Sequence, residues 1–160
     1  MKVLIAYSSQ TGNTRKLAET VYDCLPGEKE LVSIDAAPEP EGYDLVAVGF
    51  WLQAGKPDPK ATGYLARIKN TPLFLFATHG AASDSAHARN AMDVAGALAT
   101  NARILGTFNC QGEVNPKVLE KVQAKNHPPP WIQDAGGAKG HPDEGDLEKL
   151  RTAIRSLKLE

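Results

Sequence analysis

Only two of the 160 residues are cysteine, Cys24 and Cys110, and no CxxC pair or Cys/His cluster with metal-ligand spacing occurs. Neither a disulfide framework nor a structural zinc site is expected; free thiols, buried or half-buried in a reducing compartment, are. Long hydrophobic runs are missing as well. A single lysine precedes Val3-Leu4-Ile5-Ala6 before polar residues begin. That is too short for a signal-peptide core or a membrane span, so no membrane insertion is expected and a cytoplasmic location is the default. An excess of one charge is also lacking. The formal net charge is −1, which gives no electrostatic reason for nucleic acid or an anionic membrane as partner. A hydrophobic fraction of 42% and a charged fraction of 23% exclude a disordered chain. A chain of this length buries roughly 70% of its unfolded surface, so a single domain over residues 1–160 is expected to hold its core without staples.

The apolar segments that are present are short and rich in β-branched or aromatic residues. Val3 to Tyr7, Leu31 to Ile34, Leu45 to Phe50, Leu73 to Ala77 and Ile104 to Cys110 read as five strands. Their hydrophobicity is continuous rather than alternating, which predicts strands covered on both faces, as in a parallel sheet. Helical stretches lie between them. Thr14 to Leu25 repeats Leu17, Val21 and Leu25, and Pro59 to Ile68 carries Leu65 and Ile68. The Ala-rich run Asp84 to Thr100 has Asp84 or Ser83 as N-cap, and Asp146 to Leu157 aligns Leu147, Leu150, Ile154 and Leu157. Alternating strand and helix implies a doubly wound α/β fold, and five strands fit the order 2-1-3-4-5 better than a six-strand dinucleotide-binding sheet. One stretch resists this plan. Gly112 to Asp143 offers a short helix at Pro116 to Lys125, then Pro128-Pro129-Pro130 and several glycines. It reads either as a surface excursion or as a functional loop.

Directly after the first strand comes Ser9-Gln10-Thr11-Gly12-Asn13-Thr14, which also opens the first helix. Hydroxyls, backbone N–H groups and the positive end of a helix can there surround a phosphate. The turn contains no lysine or arginine, and both GxxxxGK followed by Ser or Thr and the G-x-G-x-x-G fingerprint are absent. The chemistry suits a phosphate monoester held by neutral donors rather than a nucleoside triphosphate or a dinucleotide. An ordinary βα turn is the plainer alternative.

Tyr7 to Thr14, followed by Ala18 and Val21, resembles the N-terminal motif of the flavodoxin family at nearly every position. Ala6, where that family has a larger apolar residue, is the one departure, and it lies in the strand. The resemblance implies a flavodoxin-like three-layer sandwich with FMN as cofactor, its phosphate on Ser9, Gln10, Thr11, Gly12, Asn13 and Thr14. It also implies that the flavin ring lies between the loops after strands three and four, commonly with an aromatic stacked on it. Those loops are Trp51-Leu52-Gln53-Ala54-Gly55 and Thr78-His79-Gly80-Ala81, and Trp51 is the aromatic of choice. Independently of family, a tryptophan can stack on a large flat ring with roughly 1 kcal/mol beyond area burial, though it can equally cap the sheet edge. Gly55 and Gly80 would let backbone amides approach the ring. His79 is unusual for such a loop, where it could tune the flavin or simply be solvated. His87 and Arg89 read as helix surface.

What the resemblance implies for function is a protein that exchanges electrons with a redox partner protein, the cofactor carrying the chemistry and no residue acting as catalyst. The family's usual acidic surface is absent here, and the ring loops carry Lys56, Lys60, His79 and one or two aspartates. Less repulsion of the reduced flavin, and a less negative second reduction potential, are therefore expected. The alternative is an FMN-dependent NAD(P)H or quinone oxidoreductase, with Trp131 and the proline run as a lid. A module that has lost FMN is a third possibility, disfavoured by the intact turn. Neither cysteine opens a CxxxxxR phosphatase loop, and Ser8 and Ser9 replace the acid cluster of a receiver domain. A redox role for Cys110 would need a resolving cysteine or a basic neighbour, and its sequence surroundings offer neither.

Overall fold

The three central apolar runs become strands buried on both faces beneath helices, and the two outer ones become partly exposed edges. The computed structural model describes residues 1–159. Five strands run parallel: β1 (Lys2–Tyr7), β2 (Glu28–Ser33), β3 (Leu45–Gln53), β5 (Pro72–His79) and β6 (Arg103–Gln111). A two-residue strand, β4 (Lys56–Pro57), pairs antiparallel with the end of β3. The sheet order is β2-β1-β3-β5-β6, which over the five parallel strands is the expected 2-1-3-4-5. β2 starts earlier than its apolar residues suggested because it is an edge strand, half-exposed along Lys29 to Ser33 with polar residues at its start. Ile34, read as its last residue, instead opens a one-turn 3₁₀ helix, Ile34–Ala36.

The helices are α1 (Asn13–Cys24), α2 (Pro59–Leu65), α3 (Ala86–Leu98), α4 (Pro116–Gln123) and α5 (Glu144–Arg155). Alternate strand residues point to opposite faces, so β1 sends Val3 and Ile5 one way and Leu4 and Ala6 the other. The first pair joins Leu17, Val21, Leu147, Leu150 and Ile154 of α1 and α5, with Phe74 and Phe76. The second joins Tyr64 and Leu65 of α2 and Met92 and Ala95 of α3, with Val46, Val48, Leu73 and Leu75. The result is three layers. Fully burying one such aliphatic side chain stabilises the fold by about 1.5–3 kcal/mol. The N-cap of α3 is Ser85, whose Oγ accepts from Ala88 N at 3.2 Å. Ser83 and Asp84 do not fill that role, because a turn closed by Ser85 N donating to Ala82 O contains both.

β3 continues three residues past Phe50 and turns back on itself. Leu52 pairs with Pro57 and Gln53 with Lys56, leaving Ala54 and Gly55 at the tip with φ of 53° and 78°. Two successive positive φ values define a type I′ hairpin turn, which matches the twist of the strands. Alanine is a poor occupant of that conformation, at about 1 kcal/mol of steric cost, whereas asparagine tolerates it. Ala54→Asn should therefore stabilise the protein by about 0.5–1 kcal/mol, raising Tm by about 1–4 °C in a thermal melt. Ala54→Val should lower it.

Candidate functional site

The chain leaves β1 at Tyr7 and turns beneath the carboxyl ends of the neighbouring strands before entering α1. Gly12 occupies the N-cap of α1 with φ 95° and no side-chain cap, a backbone region that glycine enters at no steric cost. Ser9 Oγ accepts from Gly12 N at 3.1 Å and closes the turn. Thr14 is 1% exposed, and its Oγ1 lies 2.9 Å from Thr78 Oγ1 at the end of β5. The nearby cations point elsewhere: Arg15 pairs with Glu19, and Lys16 Nζ donates to Pro142 O at 2.5 Å. An anion in the turn would meet neutral hydroxyls and open helix N–H groups.

Asp58, only 1% exposed, holds the ring-side loop in place. Its Oδ2 accepts from Ser8 Oγ at 2.7 Å and from Ala61 N at 3.3 Å, capping α2, while Oδ1 is 3.4 Å from Trp51 N. The Asp58 N–H donates to Trp51 O. One carboxylate thus joins the end of β1, the start of the β3–β4 hairpin and α2. Trp51 is half-buried, neither a core residue nor fully solvated.

These elements surround one cavity of about 740 Å³, within the range of small-molecule sites. Of the residues expected at a cofactor site, Ser9, Gln10, Thr11, Asn13, Thr14, Trp51, Leu52, Gln53, Ala54, Gly55, Thr78, His79 and Gly80 line it. Gly12 and Ala81 do not. Gly12 is the left-handed N-cap of α1, and Ala81 is buried at 1% exposure. Gly80 serves packing as well as any ligand, since a Cβ there would lie 2.8 Å from Val114 Cγ2 and 3.1 Å from Trp131.

His87 is not helix surface: it is half-buried, lines the cavity and approaches Gly55, whereas Arg89 is exposed. Lys60 is not part of the ring environment, because its ammonium pairs with Asp35 at 2.8 Å on the exterior, and Lys56 is absent from the cavity lining. The cavity's cation is Lys125, with Glu113 as its anion. Both come from the excursion after β6, which folds back over the site. Its residues Val114, Val118, Val122, Pro129 and Trp131 form a wall. Asn13 Nδ2 donates to Glu113 O at 3.1 Å, Gly112 N to His79 O at 2.8 Å, and Ala82 N to Asp134 Oδ2 at 3.3 Å. The sequence offered Trp131 and the proline run as a lid, and Trp131 and Pro129 do line the cavity; the part played by α4, whose Val118 and Val122 are spaced by one helical turn, was not foreseen.

His79 is 7% exposed, and Nε2 is 2.8 Å from Asn109 Oδ1. Burial pushes its pKa below the ordinary value, with His87 adding to the effect; the Asn109 hydrogen bond and the Ala81 backbone oppose it. Cys110 is buried, and burial pushes its thiol up, reinforced by Asp146 and Asp143, so it stays protonated. Among the described residues His141, Asp143 and Asp146 also converge. They form the cap of α5: Asp146 Oδ2 accepts from Asp143 N and from His141 Nδ1, and Asp143 Oδ1 accepts from Asp146 N.

A parallel sheet of this order, with a cleft beyond its carboxyl ends framed by the first βα turn and the two loops across the switch point, is the architecture of a flavodoxin-like protein. The flavodoxin domain family model matches residues 4–155. The flavodoxin-like domain-containing protein BilS of Clostridioides difficile is 31% identical over 171 residues, covering 99% of this chain and 97% of that protein. A short-chain flavodoxin associated with a non-canonical PDU bacterial microcompartment superposes with a TM-score of 0.66 at 13% identity, over 98% of this chain and 96% of that one. A flavoprotein from Lactobacillus acidophilus, solved in complex with FMN, gives 0.56 at 18% identity, over 68% and 92%. The chain belongs to the flavodoxin domain family, a family of flavoproteins whose cofactor is FMN. No helix among the described residues is long and apolar enough to cross a membrane.

Removing the Asp58 carboxylate deletes a cap and strands the Ser8 hydroxyl. Asp58→Ala should cost about 2–4 kcal/mol in urea unfolding, and Asp58→Asn less, because its amide oxygen can still cap α2. His79 titrates lower folded than unfolded, so it contributes nothing above its ordinary value of 6.5. Below that, the unfolded chain takes up a proton that the fold refuses, and stability falls with pH. Urea midpoints measured from pH 7 downward should decline less steeply in His79→Gln than in the wild type.

Proposed function

We propose that this chain is an FMN-carrying electron-transfer protein that exchanges electrons with a partner oxidoreductase. The observation that carries the reading is the single cavity that brings the Ser9–Thr14 turn, Trp51 and the His79 loop together. The turn suits the FMN phosphate, because a dianion is there met by hydroxyls and helix N–H groups without a competing lysine. Trp51 is the stacking surface for the ring, framed by Leu52 to Gly55 on one side and Thr78 to Gly80 on the other. The flavin supplies the redox chemistry when bound, and the protein's part is to position it, exclude water and set its potential. The working unit is one domain spanning the chain, and the cysteine usage suits a reducing cytoplasm.

The charges at the cavity are few and mixed. Lys125 and Glu113 are of opposite sign, and His79 is held towards its neutral form. A second electron therefore meets little repulsion, which supports a less negative second potential than an acid-rich surface would impose. A second reading, direct reduction or oxidation of an NAD(P)H- or quinone-type substrate, is favoured by one feature. The apolar wall of Val114, Val118, Val122 and Trp131 gives the cavity a second face against which a flat substrate could lie.

Purified protein should hold FMN absorption bands through gel filtration and, titrated anaerobically with dithionite, reduce in two resolved one-electron steps. Reduction in one two-electron step, with steady-state NAD(P)H oxidation by added quinone, would favour the second reading. Protein that takes up no FMN under any condition would remove both.

A further inference from the structure

The segment after β6 is anchored at its two ends and not between them. At one end Gly112 is buried and its N–H donates to His79 O at 2.8 Å, while Glu113 N donates to His141 O at 2.8 Å and Glu113 O accepts from Asn13 Nδ2 at 3.1 Å. At the other end Asp134 accepts from Ala82 N through Oδ2 and from Gln111 Nε2 through its backbone oxygen, and Ala135 and Ala138 are buried. Between these anchors the ties stop. Among the described residues, none from Val114 to Gln133 is buried. Among them too, no hydrogen bond or ion pair from Asn115 to Gln133 reaches the body of the domain; their bonds run to one another or to Asp134.

The one α-helix of this span, α4, is 8 residues long, and a helix shorter than about 12–15 residues is marginal in water unless an apolar face packs on something. Helices α1, α3 and α5 each bury three or more side chains, but α4 buries none. Its Val118 and Val122 line the cavity instead, and Val118 is 42% exposed. Of the large apolar side chains left exposed, Met1, Val94, Ile104 and Val118, only Val118 lines that cavity. The same cavity is lined by the Ser9–Thr14 turn and Trp51, so a ligand that fills it also covers this face of α4. We propose that bound FMN is the packing partner that α4 lacks: residues 115–133 form a lid that opens at little cost in the empty protein and closes on the flavin through Val118 and Val122. A segment with few buried apolar contacts sits at the low end of local stability, and a ligand that prefers the closed form shifts the population towards closure. The inference rests on the FMN reading above. The lid slows release of the cofactor and shields it from water on the α4 side of the cavity.

The test is hydrogen exchange by mass spectrometry on the full chain, stripped of flavin and then saturated with FMN, with uptake followed beforehand by flavin fluorescence. Amides of residues 119–125 should exchange roughly tenfold or more slowly once FMN is bound. A second measurement uses Val118→Ser. The urea midpoint of the flavin-free protein should stay where it is, because the side chain is not part of the core, while FMN dissociation should become roughly fivefold to tenfold faster. Equal exchange of residues 119–125 in the two states, or unchanged FMN release from Val118→Ser, overturns the lid while leaving FMN binding intact. Protection that appears only when NADH or a quinone is added to the FMN-loaded protein also overturns it and assigns α4 to a second substrate. A wild type that takes up no FMN overturns the functional reading itself, and the lid with it.

Discussion

The geometry of the cavity depends on one buried carboxylate. Asp58 reaches three segments that are otherwise independent, the exit of β1 through Ser8, the entry of the hairpin through Trp51, and the first turn of α2 through Ala61. A carboxylate kept from water must be fully hydrogen-bonded, so each of those donors is drawn to a fixed point. The exit of β1 and the β3–β4 hairpin are thereby tied together even though Ser8 and Asp58 lie 50 positions apart in the chain. Thr14 and Thr78 provide a second, neutral tie between the Ser9–Thr14 turn and β5.

The excursion after β6 folds back over the cavity. A bare switch-point cleft would leave a flavin open along much of its rim. Here α4 and the segment around Trp131 close one side, and hydrogen bonds from Asn13, Gly112 and Ala82 fasten that flap to the turn and loops. The flap also brings Lys125 and Glu113 into the cavity lining, from which the loop lysines Lys56 and Lys60 are absent. The consequence is local near-neutrality at the site, in keeping with the chain's overall charge but produced by different residues.

Several features were legible in the chain without coordinates. The five parallel strands, the order of the sheet and the helix faces that carry Leu17, Val21, Leu147 and Ile154 follow from periodicity, which is a local property. The turn from Ser9 to Thr14 is contiguous, so its chemistry could be read in one place. Some misreadings were equally local. Ser85 rather than Ser83 or Asp84 caps α3 because a turn of unforeseen length precedes it, and β2 begins among polar residues because an edge strand need not be apolar on both sides.

The sequence by itself therefore determined the fold class and the strand order, each encoded by neighbours along the chain. The tertiary structure alone decided the Asp58 junction, the pairing of His79 with Asn109, the inward turn of His87 and the placement of Lys125 over the cavity. Each of these joins residues far apart in the chain, or depends on which face of a helix is turned inward. Hydrophobic patterning constrains which face of an element is buried, but a polar side chain's partner is fixed only once the packed layers set distances of about 3 Å between atoms.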